Sequence, residues 1–255
     1  MSLKLPSCLA STEAEPILQV YLLGLVHFEA ALALQRRLAY EVAGRRNTAT
    51  LLLCEHPPLI TIGRQGSWRH VLCSLDELKA RRWPVRWVNR GGGCLLHLPG
   101  QLTIYPILPL DRLQFGICSY LERLQQVLID LLDDFSIRAE RQPGNTSIWV
   151  GGRPIADLGV AVRDWVSYFG AVLNVNPDLE EFRLVRTGGS AGGIMTSLVR
   201  ERHGPVRPSF VRERFLEHFM SRFGFGQPAL FFDHPSLGAC PKRDQTPYPV
   251  RGPSP

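Results

Sequence analysis

Three consecutive glycines beside an arginine, Arg90-Gly91-Gly92-Gly93, constrain this chain more than any other feature. They follow a strand-like run, Val85-Arg86-Trp87-Val88, and lead through Cys94-Leu95-Leu96 and His97 to a turn at Pro99-Gly100. A second strand pattern, Gln101 to Ile107, starts there. Glycine packs nothing into a core and loses more backbone entropy on folding than other residues, so a run of three marks a place where backbone comes close to something. A glycine-rich hairpin would account for RGGG alone. The full spacing, which adds His97 and Pro99-Gly100-Gln101, points to a site.

Periodicity along the rest of the chain gives an α+β order. A strand near Leu18 to Leu23 precedes an amphipathic helix from Phe28 to Val42, with Phe28, Ala31, Leu32, Gln35, Leu38 and Val42 on one face. Thr50 to Cys54 reads as a strand, and Ser74 with Glu77 forms a capping box for a short helix that ends before Pro84. Ile117, Leu121, Leu124, Leu128, Leu131 and Phe135 mark a second long helix. Ser147 to Val150 and Pro154 to Val162 form a hairpin across Gly151-Gly152, a strand follows at Val166 to Val175, and a last helix covers Phe210 to Phe223. The expected architecture is one domain with a mixed, mostly antiparallel sheet and helices packed against one face. Residues 1–16 form an N-terminal extension and 17–225 the domain. Residues 226–255, with seven prolines, form an extended or disordered tail.

Composition excludes several classes. A chain of 255 residues with 45% apolar content can bury a sizeable core. No apolar run reaches membrane-spanning length and no basic-then-apolar leader opens the chain, so a cytoplasmic monomer is expected. Six scattered cysteines without a CxxC pair make neither a disulfide framework nor a zinc site, and the histidines show no metal-ligand spacing. The net charge of +6 rests almost wholly on arginine, since Lys4, Lys79 and Lys242 are the only lysines. The arginines are dispersed rather than interleaved with aromatics in a stripe, which argues against nucleic acid and fits steering of acidic protein partners.

The motif order resembles the lipoyl(octanoyl) transferases of the biotin/lipoate protein ligase superfamily. Their signature of RGG, four residues, H, one residue, PGQ and then YPI is matched by Arg90-Gly91-Gly92, His97, Pro99-Gly100-Gln101 and Tyr105-Pro106-Ile107. Glu55-His56-Pro57-Pro58 and Gly63-Arg64 match upstream segments. Ile155-Ala156, Leu158-Gly159-Val160, Leu173-Asn174-Val175, Asp178-Leu179, Phe182 and Thr196-Ser197-Leu198 follow in family order. The resemblance implies a biotin/lipoate ligase catalytic-type fold and a reaction without cofactor or metal. A cysteine thiolate takes octanoate from acyl carrier protein and passes it to a lysine on a lipoyl domain of a 2-oxoacid dehydrogenase or glycine cleavage protein. It further implies a substrate site lined by Arg90, Gly91, Gly92, Gly93, Cys94, Leu95, Leu96, His97, Asp157, Leu158, Gly159, Gly170, Ala171 and Val172, with the acyl chain along Leu95 and Leu158.

Both catalytic positions of that family are altered. Gly188 falls where the cysteine belongs, six residues after Phe182 and eight before Thr196. Pro154 falls where the activating lysine belongs. Glycine has no nucleophile and proline no charge, and a thiol needs a nearby cation to ionise at neutral pH. Leu95 replaces a threonine, Phe169 a histidine and Asp157 a small residue. Asp157 either points outward or pairs with an arginine such as Arg90, because a buried carboxylate needs a partner. Two readings follow: a transferase-fold protein that binds an acyl group or a lipoyl domain without catalysis, and an acyltransferase using a displaced nucleophile, for which Cys94 is the candidate. Thr187 and Ser190 lack a general base nearby, and an ATP-dependent ligase would also need the lysine that Pro154 replaces.

Overall fold

The computed structural model of the chain describes residues 16–187 and 194–237. Its central feature is an eight-stranded sheet. The chain runs β1 (Ile17–Leu25), α1 (Phe28–Arg45), β2 (Thr48–Glu55), β3 (Leu59–Ile62), α2 (Leu75–Arg81), β4 (Val85–Trp87), β5 (Cys94–His97) and β6 (Gln101–Ile107). It continues through α3 (Ile117–Asp133), β7 (Glu140–Arg141), β8 (Ile148–Val150), β9 (Arg153–Arg163), β10 (Val166–Asn174), α4 (Leu198–Arg202), α5 (Pro208–Phe223) and β11 (Ala229–Phe231). The large sheet has the order β11-β1-β2-β6-β10-β9-β8-β7, and a small sheet has the order β4-β3-β5. Pairing is antiparallel except for β1 with β2, β1 with β11, and β3 with β4. The α+β expectation holds, and β6, β10 and β9 are neighbours as expected.

Helices cover both faces of the large sheet, not one. Strand side chains alternate, so β2 sends Leu51 and Leu53 to one side and Leu52 and Cys54 to the other. The first side packs against α3 and α5 through Tyr120, Leu124, Leu128, Phe215 and Phe219. The second packs against α1 through Phe28, Leu34, Leu38 and Val42. The one-face expectation missed this because a fully buried strand such as Thr50 to Cys54 shows no polar alternation. On α3 the buried stripe runs Tyr120, Leu124, Val127, Leu128 and Leu131, leaving Ile117 46% exposed at the first turn. The capping box of α2 forms as read: Ser74 Oγ accepts from Glu77 N at 3.2 Å and Glu77 Oε2 accepts from Ser74 N at 2.8 Å.

Part of the segment assigned to a tail is built onto the sheet. Ala229–Phe231 pairs in parallel with Gln19–Tyr21, the Phe231 ring stacks on Tyr21 at 4.9 Å, and Arg37 donates to Ser236 Oγ at 2.9 Å. The prolines around these residues masked a strand only three residues long. Residues 238–255 and the N-terminal extension up to residue 15 lie outside the described residues.

One irregularity shapes the site. Pro106 lies inside β6 and offers no N–H, and β10 leaves its ladder with β6 beyond the pair Ala171 and Ile104. There Phe169 adopts φ +57°, and Gly170 presses so close to the Ile104 carbonyl oxygen and Pro106 Cδ that a Cβ would collide with both. The positive φ redirects the Phe169 side chain, which packs with Tyr105 and Phe28 rather than with its strand neighbours Ala171 and Leu173.

Candidate functional site

The glycine loop is wedged between two other stretches of backbone. Gly91 N donates to Val160 O at 2.8 Å on β9, while Arg64 N donates to Arg90 O at 2.9 Å and Gly63 N to Gly93 O at 3.0 Å. A Cβ on Gly63 would lie 2.6 Å from Gly92 O, and one on Gly159 would lie 2.8 Å from Gly91 O. The close approach implied by the glycines is therefore to the chain's own backbone. It joins the small sheet to the large one and fixes where the Arg90 side chain emerges.

Arg90 is 3% exposed and has no carboxylate within ion-pair distance among the described residues. Its Nη2 donates to Thr61 Oγ1 at 2.8 Å and Thr61 O at 3.1 Å, and Nη1 donates to Gly91 O at 3.0 Å. Burial lowers its pKa to about 10, opposed by the nearby Asp157, so the guanidinium stays charged at neutral pH. Thr61 Oγ1 also meets His97 Nε2 at 3.1 Å, while His97 Nδ1 is buried without any partner. Behind His97, His56 Nδ1 donates to Val26 O at 2.7 Å, so its Nε2 accepts from the Tyr105 hydroxyl at 2.8 Å. Burial holds His56 neutral, with its pKa down at about 4, and lowers His97 well below its ordinary range. An unpaired cation and an orphan ring nitrogen thus face one spot, which suits a ligand oxygen.

That spot opens on a small cavity between the two sheets. Its walls are Phe28 from α1, Leu95 and His97 from β5, Tyr105 from β6, Arg90, Gly159, and Phe169 to Val172 from β10. Arg90, Leu95, His97, Gly159, Gly170, Ala171 and Val172 are brought together as expected. Gly91 and Gly92 build the loop behind them. Other expected residues face elsewhere. Cys94 and Leu96 project from the opposite face of β5 into a third apolar cluster with Ile60, Ile62 and Phe182. The Leu158 side chain lies in the core under α3, so it cannot flank a ligand beside Leu95. Both corrections follow from the two-residue alternation of a strand. Gly93 has open space where a Cβ would stand, and its carbonyl serves the loop.

Of the two positions expected to be catalytic, one falls among the described residues. Pro154 is buried in β9, and its carbonyl accepts from Thr196 N at 2.9 Å. Gly188 and Ser190 lie outside the described residues. Thr187 just before them bridges Cys94 through the backbone and directs its hydroxyl to Met195 Sδ at 3.4 Å. Cys94 Sγ donates to Ser67 O at 3.5 Å, and burial raises its pKa. That thiol is turned away from the cavity and held protonated. Lys79, the one lysine among the described residues, sits on exposed α2. Asp157 does not point outward: it stands across from Val172, 5% exposed, accepting from Ser147 Oγ at 2.6 Å. Burial raises its pKa against the opposing effects of Ser147 and Arg90.

Sequence reasoning missed the polar support of the site. Thr61, His56 and Tyr105 complete the Arg90 and His97 network; His56 and Tyr105 were signalled only by membership in short matched segments, and Thr61 by nothing. Gln101 does not face the cavity. Its Oε1 accepts from Leu98 N at 2.6 Å and its Nε2 donates to Asn174 Oδ1 at 2.9 Å, while Asn174 Nδ2 donates to Thr196 O at 3.0 Å. Among the described residues no group of three His, Cys, Asp or Glu side chains is placed to hold a metal ion, and no helix is long and apolar enough to cross a membrane.

Comparison with known proteins places the sequence and the fold. Residues 27–220 match the family model of the lipoyl protein ligase A/B catalytic domain. An octanoyltransferase of Geotalea uraniireducens is 39% identical over 205 residues, covering 78% of this chain and 92% of that protein. One from Geobacter metallireducens is 40% identical over 198 residues, covering 77% and 89%. Among solved structures, a lipoate-protein ligase A bound with ATP superposes with a TM-score of 0.67 at 17% identity, covering 88% of this chain and 91% of that one. A bipartite archaeal lipoate protein ligase from Thermoplasma acidophilum gives 0.66 at 16%, covering 88% and 89%. At such identities the structures speak for the fold, while the octanoyltransferases and the family model place the sequence: the chain belongs to the lipoyl protein ligase A/B catalytic-domain family.

Proposed function

We propose that this protein works in lipoate biosynthesis and protein lipoylation as an octanoyltransferase relative that binds an acyl group or a lipoyl domain without carrying out the transfer. The observation behind this reading is the cavity wall: among the described residues, neither a cysteine nor a lysine lines it. Transfer needs a thiolate to attack the carbonyl of octanoyl-acyl carrier protein, expelling the carrier thiol, and then an amine to displace the enzyme thiolate. Gly188 supplies no sulfur and Pro154 no cation to ionise one. What remains is a charged Arg90 and an unpartnered His97 Nδ1 beside apolar walls, a combination that holds a carbonyl or carboxylate oxygen with its aliphatic chain. The +6 charge favours encounter with acidic carrier proteins and lipoyl domains, the partners in this reading, in a cytoplasmic setting.

The test is mass spectrometry of the purified protein after incubation with octanoyl-acyl carrier protein. Unchanged mass is expected, together with chemical-shift changes around Leu95 and Val172 when a short straight-chain carboxylate such as propanoate is titrated by NMR. A mass increase of one octanoyl group that disappears in Cys94→Ala would overturn the reading in favour of a displaced nucleophile.

A further inference from the structure

The cavity leaves room for about 10 Å³, on the order of one water molecule, so its walls and not its mouth decide what enters. One wall residue is held in an unusual state. Phe169 has φ +57°, a region that bulky side chains rarely occupy, and it is 3% exposed. Two interactions hold it there. Its N–H donates to Gln35 Oε1 of α1 at 3.0 Å, and Gly170 behind it is pressed against Ile104 and Pro106. The ring packs edge-on against Tyr105 at 6.3 Å between centroids, on the same side of the sheet as Phe28. Strain of this kind persists where the surroundings over-determine a conformation, and here they aim an aromatic ring into the space an aliphatic chain would use.

Resting on the acyl-site reading above, we infer that Phe169 is the specificity-determining residue of this pocket and closes it to long chains. With the carboxylate end at Arg90 and His97, the native site takes straight-chain acyl groups of about three carbons or fewer, since little more than one water-sized space is open beside the carboxyl carbon. Octanoyl-length chains fit only when the ring is removed. Phe28 and Tyr105 line the same cavity but sit in ordinary backbone conformations with partners on α1 and His56. Phe169 is the wall whose removal relieves strain as well as opening volume.

The experiment is calorimetric titration of the full chain with the straight-chain carboxylates from acetate to decanoate. Each added methylene that finds apolar cover raises affinity about fourfold. In the native protein that rise is expected to stop near propanoate. In Phe169→Gly, which suits the positive φ, it is expected to continue to about octanoate, a gain of roughly a hundredfold or more for that acid. Phe169→Asn, also tolerant of positive φ, provides a second shortened side chain should the glycine variant fold poorly. A purely structural role would lower affinity for every acid alike and leave the break in place, which would overturn the inference. So would a native profile that climbs without a break to decanoate. Binding of no acid by any of the three proteins would overturn the acyl-site reading itself, and the inference with it.

Discussion

Gly159 lies directly against the Arg90 side chain: a Cβ there would stand 3.0 Å from Nη1 and 3.1 Å from Cδ, as well as 2.8 Å from the Gly91 carbonyl oxygen. No rotamer change relieves the last of these, because it is backbone. Gly159→Ala is therefore expected to destabilise the fold by about 2 kcal/mol and to shift Arg90. Urea unfolding would show it, and an unchanged midpoint would mean that the glycine loop and β9 are not tightly packed.

Thr61 is the hub between Arg90 and His97. Thr61→Val preserves shape but strips Oγ1 from both, leaving a buried guanidinium nitrogen short of an acceptor. A loss of about 1–3 kcal/mol is expected. Combined with His97→Phe, the cost should be less than the sum of the single losses, because both changes disrupt the same contact. Strict additivity in denaturant titrations would count against the network.

Acid stability should carry the mark of His56. Its folded pKa, about 4, lies below the ordinary 6.5, so the native state refuses a proton that the unfolded chain accepts. The stabilisation is full above pH 6.5, is lost as the pH falls toward 4, and amounts to on the order of 3 kcal/mol. His97 acts in the same direction. Thermal melts of His56→Gln from pH 7 to 4 should show a shallower decline than the native protein. Parallel curves would remove His56 as the cause.

In the Phe169→Gly background, which admits octanoyl chains, Gly188→Cys alone gains little octanoyl thioester, because its thiol stays protonated without a cation. Pro154→Lys alone gains none. The pair should exceed the sum of the single variants by at least about tenfold, since nucleophile and activator act as one unit. Thioester accumulation measured by mass spectrometry separates that result from simple additivity.

The strand at Ala229–Phe231 covers the edge of β1, where unpaired backbone groups would otherwise invite another chain. Phe231→Ala should cost about 1 kcal/mol through the lost Tyr21 stack. Ending the chain at residue 228 should make light scattering depend on protein concentration, and a truncated protein that stays monodisperse would show that the edge needs no cover.

Legibility followed the length scale of the signal. The faces of α1 and α3 could be read because apolar residues recur over several turns. The segment Arg90 to Gln101 could be read because its residue types are costly anywhere else. β3 and β5 could not, because their four buried residues each show no alternation that separates strand from loop. For the same reason the sequence grouped Cys94, Leu95, Leu96 and His97 as one pocket wall. Only the pleat reveals that alternate members look into different clusters. The positive φ of Phe169 was also beyond reach, because it arises from a proline on the neighbouring strand, more than sixty residues away in sequence.

Because the Arg90 to Gly93 loop hydrogen-bonds to Gly63, Arg64, Gln65 and Val160, it is the seam between two sheets before it is part of any binding site. A Cβ at Gly63 or Gly159 would collide with the loop's carbonyl oxygens, so either substitution would cost folded protein whatever chemistry the site performs. Part of the signature can therefore persist for the sake of assembly, independently of turnover.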